Sequence, residues 1–221
     1  MFAVIFEVQP KQERWNDYLD LAGMLRPELE KIDGFIDNER FTSLLDQGRV
    51  LSLSTWRDEK AVIRWRTLGL HHQAQEQGRS GIFENYHLRV GEVVADSDIP
   101  KGQSLRRQRL DETETGAAKL VTISEARAEA AADGGALAAG LGLPTADAGG
   151  IVANEVFAGI NDPGKLLLLV SWKDWAAGER WQPSTPPGTD IRHRSVRIIR
   201  DYGMHDRREA PQYYRAVAGD E

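Results

Sequence analysis

One stretch of this chain occurs twice, and that repeat limits the possible folds more than any other feature. Residues 34–66 and 150–182 align at a constant offset of 116 positions without a gap. The identical pairs include Asn38/Asn154, Glu39/Glu155, Phe41/Phe157, Asp46/Asp162, Gly48/Gly164, Trp56/Trp172, Asp58/Asp174, Arg64/Arg180 and Trp65/Trp181. A register held over such a length indicates two copies of one small domain. The differences between the copies are then the best guide to function.

The apolar patterns of the first copy predict the order strand, helix, strand, strand, helix, strand, which is that of a ferredoxin-like domain. Runs of branched and aromatic residues predict strands over 2–8, 35–43, 49–56 and 82–94. An amphipathic helix is predicted from Lys11 to the stop at Gly34, and Pro27 is expected to kink it or split off its last turn. A second helix is predicted from the N-cap Asp58 to Gly78.

The same order is predicted again in the second copy, so the chain divides into four parts. Strands are predicted over 119–126, 150–160, 165–172 and 191–201, and helices over 127–141 and 174–182. The parts are a first domain at 1–95, a polar linker at 96–117, a second domain at 118–202 and a tail at 203–221. The tail contains Tyr213 and Tyr214, and it either straps onto the partner domain or frays.

A single ferredoxin-like unit leaves one face of its four-stranded sheet uncovered. Burying on the order of 500 Å² of apolar sheet at ~25 cal/mol/Å² stabilises by on the order of 12 kcal/mol before entropy. The predicted fold class is therefore α+β, with two ferredoxin-like domains whose antiparallel sheets pack into an α+β barrel of the dimeric type. The partner can be the other half of the same chain, as an intramolecular pseudo-dimer, and a homodimer stays open.

Composition narrows the classes of partner and chemistry. The net charge of −6 predicts no nucleic-acid partner, and the absence of cysteine excludes disulfides and thiolate chemistry. No metal centre is expected, because histidines and carboxylates do not occur at metal-ligand spacing. The longest apolar run, 166–170, is too short to span a bilayer, and no secretory signal precedes the first strand. A cytoplasmic protein without membrane contact is the expectation.

The copies differ most after the repeated tryptophan. The offset falls from 116 to 108 residues, so the second copy lacks eight residues, including the counterparts of His71 and His72. Pro183, Pro186 and Pro187 prevent a helix from forming there. We therefore predict that the first copy keeps a functional pocket and that the second serves mainly as a structural partner.

Several motifs of the first copy resemble the antibiotic biosynthesis monooxygenase domain family. They are Leu-Ser-Leu-Ser-Thr-Trp-Arg-Asp-Glu-Lys-Ala at 51–61, Trp65, the pair His71 and His72, and Gly-Arg-Ser-Gly-Ile-Phe at 78–83. The resemblance covers nearly all of 1–94 and, more loosely, 119–210. It implies an eight-stranded barrel with a pocket between helices and sheet in each half.

Two activities follow from this resemblance. Cofactor-free members of the family oxidise polycyclic phenols to quinones by deprotonating the substrate, passing an electron to O₂ and collapsing a peroxide. They use a tryptophan at the end of the third strand, preceded four residues earlier by an asparagine. Trp56 matches the tryptophan, and Ser52 stands at the asparagine position.

Haem-degrading members offer the alternative activity, with haem as cofactor. They use an asparagine in the first strand, a tryptophan on the second helix and a histidine about ten residues beyond it. Trp65 matches the tryptophan, whereas Glu7 and Gln75 occupy the other two positions. His72 would then have to be the haem ligand.

The preferred hypothesis is a monooxygenase that needs no cofactor and oxidises an aromatic or enolisable small molecule with O₂. The pocket is predicted to be lined by Phe6, Phe41, Trp56, Trp65, His72 and Phe83. His72 is the predicted base, since it shares the face of Trp65 and phenol deprotonation needs a group that titrates near neutral pH. Trp56 and Trp65 would exclude water, and Ser52 would donate a hydrogen bond to the peroxide.

Other interpretations of these residues remain open. Trp56 and Trp65 recur in both copies, which also fits core packing. His71 points about 100° away from His72, so it is expected to be more exposed and is kept as a substrate-binding candidate. The repeated Asn38 and Glu39 indicate a role in the hairpin or the interface. A pocket filled by side chains would favour a non-catalytic ligand-binding barrel.

Overall fold

Eight strands and five helices form in the computed structural model, which describes residues 1–127, 134–145, 149–162, 164–184 and 190–212. The strands are β1 (Phe2–Pro10), β2 (Phe35–Ser43), β3 (Val50–Trp56), β4 (Phe83–Asp96), β5 (Leu120–Arg127), β6 (Ile151–Gly159), β7 (Lys165–Trp172) and β8 (Ile191–Gly203). The helices are α1 (Trp15–Glu30), α2 (Glu59–Thr67), α3 (Gly69–Gln77), α4 (Gly134–Gly140) and α5 (Trp175–Arg180). A 3₁₀ turn (Gln12–Arg14) precedes α1, and a π-helical turn (Gly78–Ile82) precedes β4.

The strands close into one antiparallel barrel in the order β1-β3-β2-β6-β7-β5-β8-β4. The two halves join at two seams. The short seam pairs β2 with β6 from Phe41 to Ser43, and the long seam pairs β4 with β8 from His87 to Asp96. The predicted α+β fold is confirmed, and the barrel closes within a single chain.

Equivalent residues of the two copies meet inside the barrel. One cluster of buried side chains contains several equivalent pairs, among them Ile5 and Ile123, Phe41 and Phe157, Leu51 and Leu167, and Leu53 and Leu169. Strand alternation puts these side chains on the inner face of every strand, so the sheets cover each other's apolar surface.

Two ion clusters reinforce the join between the halves. Arg49, directly before β3, lies 3.2 Å from Glu7 of its own half and 3.2 Å from Glu155 of the other half. Its repeat counterpart, Lys165, lies 2.5 Å from Glu125 and 2.6 Å from Glu39. The repeated Glu39 and Glu155 therefore lie at the interface between the two sheets.

The predicted second helix of the first copy is in fact two helices, so that prediction is wrong. Leu68 adopts φ −58° and ψ 125°, which ends α2, and Gly69 then opens α3. The start of α2 agrees with the sequence, because Asp58 Oδ1 accepts a hydrogen bond from the Ala61 amide at 2.9 Å. The break changes the direction in which the following side chains point.

Helix α1 continues through Pro27 to Glu30, so its last turn is not split off. In the second copy, α4 accounts for part of the predicted helix over 127–141, and 128–133 lie outside the described residues. Pro186, Pro187, Tyr213 and Tyr214 also lie outside them. Within the described part of the chain, no helix is long and apolar enough to cross a membrane.

A histidine at one mouth of the barrel links the two halves at the long seam. His87 on β4 places Nε2 2.6 Å from Asp201 Oδ1 on β8, and its Nδ1 lies 3.6 Å from Glu7 Oε2. Burial alone would lower the pKa of His87, but the hydrogen bonds to Asp201 and Glu7 outweigh it and raise that pKa above its ordinary value.

We predict that His87 stabilises the protein more at low pH than at high pH. A histidine whose pKa is higher in the folded than in the unfolded protein stabilises the fold when it is protonated. This contribution is fully present below the unfolded-state pKa of about 6.5, and it is lost as pH rises through the folded-state pKa. Because the side chain is 41% exposed, the effect should be about 1 kcal/mol or less. Urea unfolding of wild type and His87→Gln should differ more at pH 6 than at pH 9.

The exposed His205 provides a control, since His205→Gln should leave the pH dependence of unfolding unchanged. A gap between wild type and His87→Gln that widens as pH rises would contradict this assignment.

Candidate active site

A cavity of about 820 Å³ lies between the outer face of the first-half sheet and helices α1, α2 and α3. Strand register arranges its floor in two rows that cross β2, β3, β1, β4 and β8. The first row is Asn38, Ser54, Val4, Val90 and Arg200, and the second row is Arg40, Ser52, Phe6, Leu88 and Tyr202.

The chemical character of the floor changes from one edge to the other. The β2 and β3 positions are polar, the β1 and β4 positions are apolar, and the β8 positions carry a guanidinium and a phenol. Since β8 belongs to the second copy, the second half completes the pocket of the first. Arg200 and Tyr202 were missed by the sequence analysis, because only the pairing of β4 with β8 brings them to this cavity.

Asn38 holds the hydroxyl of Ser52 in the polar part of the floor. Its Nδ2 donates to Ser52 Oγ at 2.9 Å and to the carbonyl oxygen of Leu53 at 3.2 Å. Because Ser52 Oγ accepts this bond, its own proton can be donated to a molecule in the cavity. The family's asparagine is replaced by Ser52 on β3, but Asn38 on the neighbouring strand β2 supplies a carboxamide next to that position. In the sequence, the only feature that drew attention to Asn38 was its repetition in the second copy.

His71 is the histidine that packs on Trp65. The two rings are stacked, with centroids 4.0 Å apart and an interplanar angle of 16°. His71 Nδ1 lies 2.9 Å from the carbonyl oxygen of Trp65, so Nδ1 carries the proton and Nε2 is the acceptor. Both residues line the cavity.

The environment of His71 keeps its imidazole neutral. Burial lowers its pKa to about 4, the hydrogen bond to the Trp65 carbonyl offsets part of that effect, and the neighbouring His72 lowers it further. At neutral pH the cavity wall therefore presents an uncharged imidazole with one nitrogen able to accept a proton.

The predicted positions of the two histidines relative to Trp65 are exchanged by the break at Leu68. His72 also lines the cavity, but its Nε2 lies 3.4 Å from Glu76 Oε1 rather than against Trp65. The prediction that His72 shares the face of Trp65 while His71 points to solvent is wrong. One continuous helix was assumed, and the extended residue at 68 turns α3 away from that register.

Two further predicted pocket residues lie elsewhere. Trp56 lies on the same face of β3 as Ser54 but outside the cavity lining: it is fully buried against Phe2 and Leu29, and its Nε1 donates to Ser54 Oγ at 2.9 Å. Phe41 lies in the barrel interior, because alternation along β2 sends Asn38 to the pocket and Phe41 to the opposite face.

The predicted aromatic residues Phe6 and Phe83 do line the cavity. Their ring centroids lie 6.0 Å apart, and Tyr86 packs 5.8 Å from Phe6 and 6.1 Å from Phe83. Together with Tyr18, 6.3 Å from Phe83, they form an apolar end of the pocket.

The corresponding space in the second half is filled by apolar side chains. Leu168 and Val170 stand where the first copy has Ser52 and Ser54. They pack with Leu141 and Trp181 in one buried cluster. A non-catalytic barrel was expected to have its pocket filled by side chains. The first half has an open cavity instead.

The chain beyond β8 returns to cover the first-half cavity. Residues 207–212, which we term the strap, contribute Arg207 and Gln212 to its lining. Arg207 donates to the hydroxyl of Tyr86, and its guanidinium lies 5.9 Å from the centre of the Tyr202 ring. Arg66 on α2 donates to the carbonyl oxygen of Gln212 at 3.4 Å.

Glu209 anchors the strap to the interdomain linker. Its carboxylate accepts hydrogen bonds from the Thr113 hydroxyl at 2.7 Å and from the backbone amides of Glu114, Thr115 and Asp201 at 2.7, 3.0 and 2.7 Å. Burial would raise the pKa of this carboxyl, but these donors lower it below its ordinary value. Of the two alternatives for the tail, its described part straps onto the first domain.

The haem hypothesis does not gain support from this geometry. Glu7, at the position expected for the haem-site asparagine, points into the barrel, where Oε2 accepts from Arg89 at 2.9 Å. It therefore lies across the sheet from Trp65. In the described residues, no group of three or more histidine or carboxylate side chains could hold a metal ion together.

Comparison with known proteins gives a family match and one full-length relative. The family model described as antibiotic biosynthesis monooxygenase matches residues 1–77. The jasmonate monooxygenase ABM of Pyricularia oryzae is 43% identical over 218 residues, which cover 97% of this chain and 98% of that protein. Identity at this level over both full lengths shows common descent.

Some solved structures match about 40% of the chain, and others match about 90% of it. A crystal structure titled antibiotic biosynthesis monooxygenase is 16% identical and covers 43% of this chain and 100% of its own, with a TM-score of 0.39. A conserved protein from Methanosarcina mazei Go1 is 18% identical and covers 40% and 88%, with a TM-score of 0.38.

The opposite positions of Phe41 and Phe6 make a testable pair. Phe41→Ala should lower the free energy of unfolding by about 3–5 kcal/mol, because it opens a hole in the barrel interior. It should leave the affinity for 1-naphthol, a neutral probe of the cavity, unchanged. Phe6→Ala should weaken naphthol binding. Urea unfolding and quenching of tryptophan fluorescence measure the two properties.

Phe41→Leu, which leaves a smaller hole, serves if Phe41→Ala fails to fold. A larger change in naphthol affinity for a Phe41 variant than for Phe6→Ala would contradict the assignment of the two faces.

Proposed function

The chain belongs to the antibiotic biosynthesis monooxygenase family and is an oxidoreductase of the monooxygenase class, and we propose that it oxidises an aromatic or enolisable small molecule with O₂ and no bound cofactor. The observation that carries this proposal is the neutral His71 stacked on Trp65 in the cavity wall. The relative is named for jasmonate, whose ring ketone is enolisable, so jasmonate is the first candidate substrate.

The cavity suits a substrate of this size and polarity. Its volume of about 820 Å³ lies within the range of roughly 300–1,000 Å³ that is usual for small-molecule sites. Apolar residues of β1 and β4 form the centre of its floor, and aromatic rings close one end. A ring system would bury its apolar surface there and leave its polar groups facing either edge.

In the proposed first step, Nε2 of His71 takes a proton from the substrate. The Nδ1 proton stays on the Trp65 carbonyl and fixes the tautomer. Transfer from a phenol of pKa about 10 to an imidazole of pKa about 4 costs about 8 kcal/mol. A typical turnover of about 10 s⁻¹ corresponds to a barrier of about 16 kcal/mol, so this weak base is strong enough for a phenolic substrate.

In the following steps, the substrate anion supplies the electrons. It passes one electron to O₂, and the resulting superoxide and substrate radical combine into a carbon-bound peroxide. The His71 imidazolium returns its proton to the peroxide. Loss of the remaining hydrogen on that carbon as a proton, with cleavage of the O–O bond, then leaves a carbonyl on the substrate and releases water. In sum, one CH₂ and one O₂ become one C=O and one H₂O, so no external reductant is needed.

Two features of the site would assist this sequence. The Ser52 hydroxyl, held by Asn38, can donate to the peroxide oxygen. Trp65 and Phe83 exclude water from the reacting anion, which would otherwise be stabilised by solvent and react more slowly.

We predict that His71→Gln lowers turnover by ~10²-fold or more, because it removes the base while keeping a side chain that can bond to the Trp65 carbonyl. His72→Gln is the matched control on the same helix and should change turnover by no more than about threefold. The assay follows O₂ uptake and product mass with jasmonate in buffer that contains EDTA and no reductant.

A larger loss in His72→Gln than in His71→Gln would contradict the choice of base. Turnover that requires added NADH or reduced flavin would contradict the cofactor-free route.

A further inference from the structure

We propose that the molecule bound in this cavity is a carboxylate anion with an apolar body, and that Arg66, Arg200 and Arg207 bind its carboxylate. This inference rests on the proposed function, since it names the class of substrate for the same site. It also assigns binding residues that come from the second half and the strap.

The three arginines reach one side of the cavity from three separate segments. Arg66 lies in the last turn of α2, Arg200 lies on β8 and Arg207 lies on the strap, and all three line the cavity. The guanidinium of Arg207 lies 5.9 Å from the centre of the Tyr202 ring, Arg66 donates to the strap at Gln212, and Arg200 lies two residues before Tyr202 on β8. The charges of all three lower the pKa of the Tyr202 phenol. Burial dominates there and raises the pKa of Tyr202 to about 12, so the phenol stays neutral.

None of these three guanidinium groups pairs with a carboxylate in the described part of the chain. Arg66 and Arg207 bond instead to neutral oxygens, those of Gln212 and Tyr86. The acidic residue of the cavity lining, Glu59, is held by Arg109 at 2.7 Å. By contrast, carboxylate partners occur for Arg49, Arg57, Arg89, Arg109, Arg192, Arg194 and Arg197.

An uncompensated cluster of this kind favours an anion, and its setting favours a carboxylate. Guanidinium groups are planar forks that bind carboxylates with two parallel hydrogen bonds. The floor next to Arg200 is Val90 and then Val4, so the rest of the bound molecule must be apolar. A free phosphate has no such body and would leave this surface unfilled.

The position of the cluster also fits the proposed base. Arg66 directly follows Trp65, the residue on which His71 stacks, and Trp65 and Val90 pack against the same buried cluster. From Arg200 the floor extends over four strand spacings, roughly 19 Å, to Asn38. A carboxylate held at the β8 edge therefore places an attached ring over the apolar centre.

The test compares 1-naphthylacetate with its uncharged methyl ester, using quenching of tryptophan fluorescence in the full chain. The acid should bind about 10-fold or more tightly than the ester in wild type. Arg200→Gln and Arg66→Gln should each weaken acid binding about 10-fold and leave ester binding unchanged. Arg26→Gln is the matched control, because Arg26 lines the cavity but pairs with Glu30 at 3.0 Å.

Each other outcome counts against a defined part of the proposal. Equal binding of acid and ester in wild type, or an acid preference that survives both substitutions, overturns the carboxylate subsite while the cavity stands. Competition by inorganic phosphate at equal or lower concentration than the acid overturns the choice of a carboxylate with an apolar body. Binding of neither probe overturns the cavity as the substrate site, and with it the proposed function.

Discussion

The closure of two half-sheets into one barrel is the constraint on which the rest of the structure depends. Each half presents an apolar inner face that only another sheet can cover, and the two copies cover each other. The same closure hydrogen-bonds β8 to β4 and so extends the floor of the first-half cavity with Arg200 and Tyr202. Closure of the barrel thus both buries the inner face and completes the pocket.

Within this symmetric frame the two outer faces have diverged. In the first half, Ser52 and Ser54 leave space above the sheet, and Trp65 forms a wall with His71. In the second half, Leu168 fills that space, and Trp181 packs 5.7 Å from Trp172. The repeated tryptophan therefore lines a cavity in one half and packs in a core in the other. The short second copy retains the strand pairing and loses the helix that carries the histidines.

Much of the fold could be predicted because its signals are local or repeated. Strand alternation and the N-cap Asp58 are patterns within a few residues, and the gapless repeat shows the same patterns twice. The fold class followed from these signals. The face of Phe41 could also have been deduced, since an odd separation from Asn38 along one strand puts the two residues on opposite faces. The prediction went wrong because Phe41 was judged by its residue type rather than by its position.

Other parts of the site depend on contacts that local patterns do not encode. The extended backbone at Leu68 exchanged the positions of His71 and His72 relative to Trp65, and the adjacent Gly69 is only a weak local sign of a break. Arg200 and the strap reach the cavity only through the long seam and the Glu209 anchor, which join positions far apart in sequence. Such pairings decide which residues surround the substrate.

The most direct test converts the first-half floor into that of the second half. The double variant Ser52→Leu, Ser54→Val places the residues of Leu168 and Val170 beneath α1. The account predicts loss of 1-naphthol binding and of turnover in a protein that still folds, because the added side chains fill the cavity. The urea unfolding midpoint should fall, since the buried Trp56 Nε1 loses the Ser54 hydroxyl to which it donates. Unchanged naphthol affinity in a folded double variant would contradict the claim that the first-half cavity is the site.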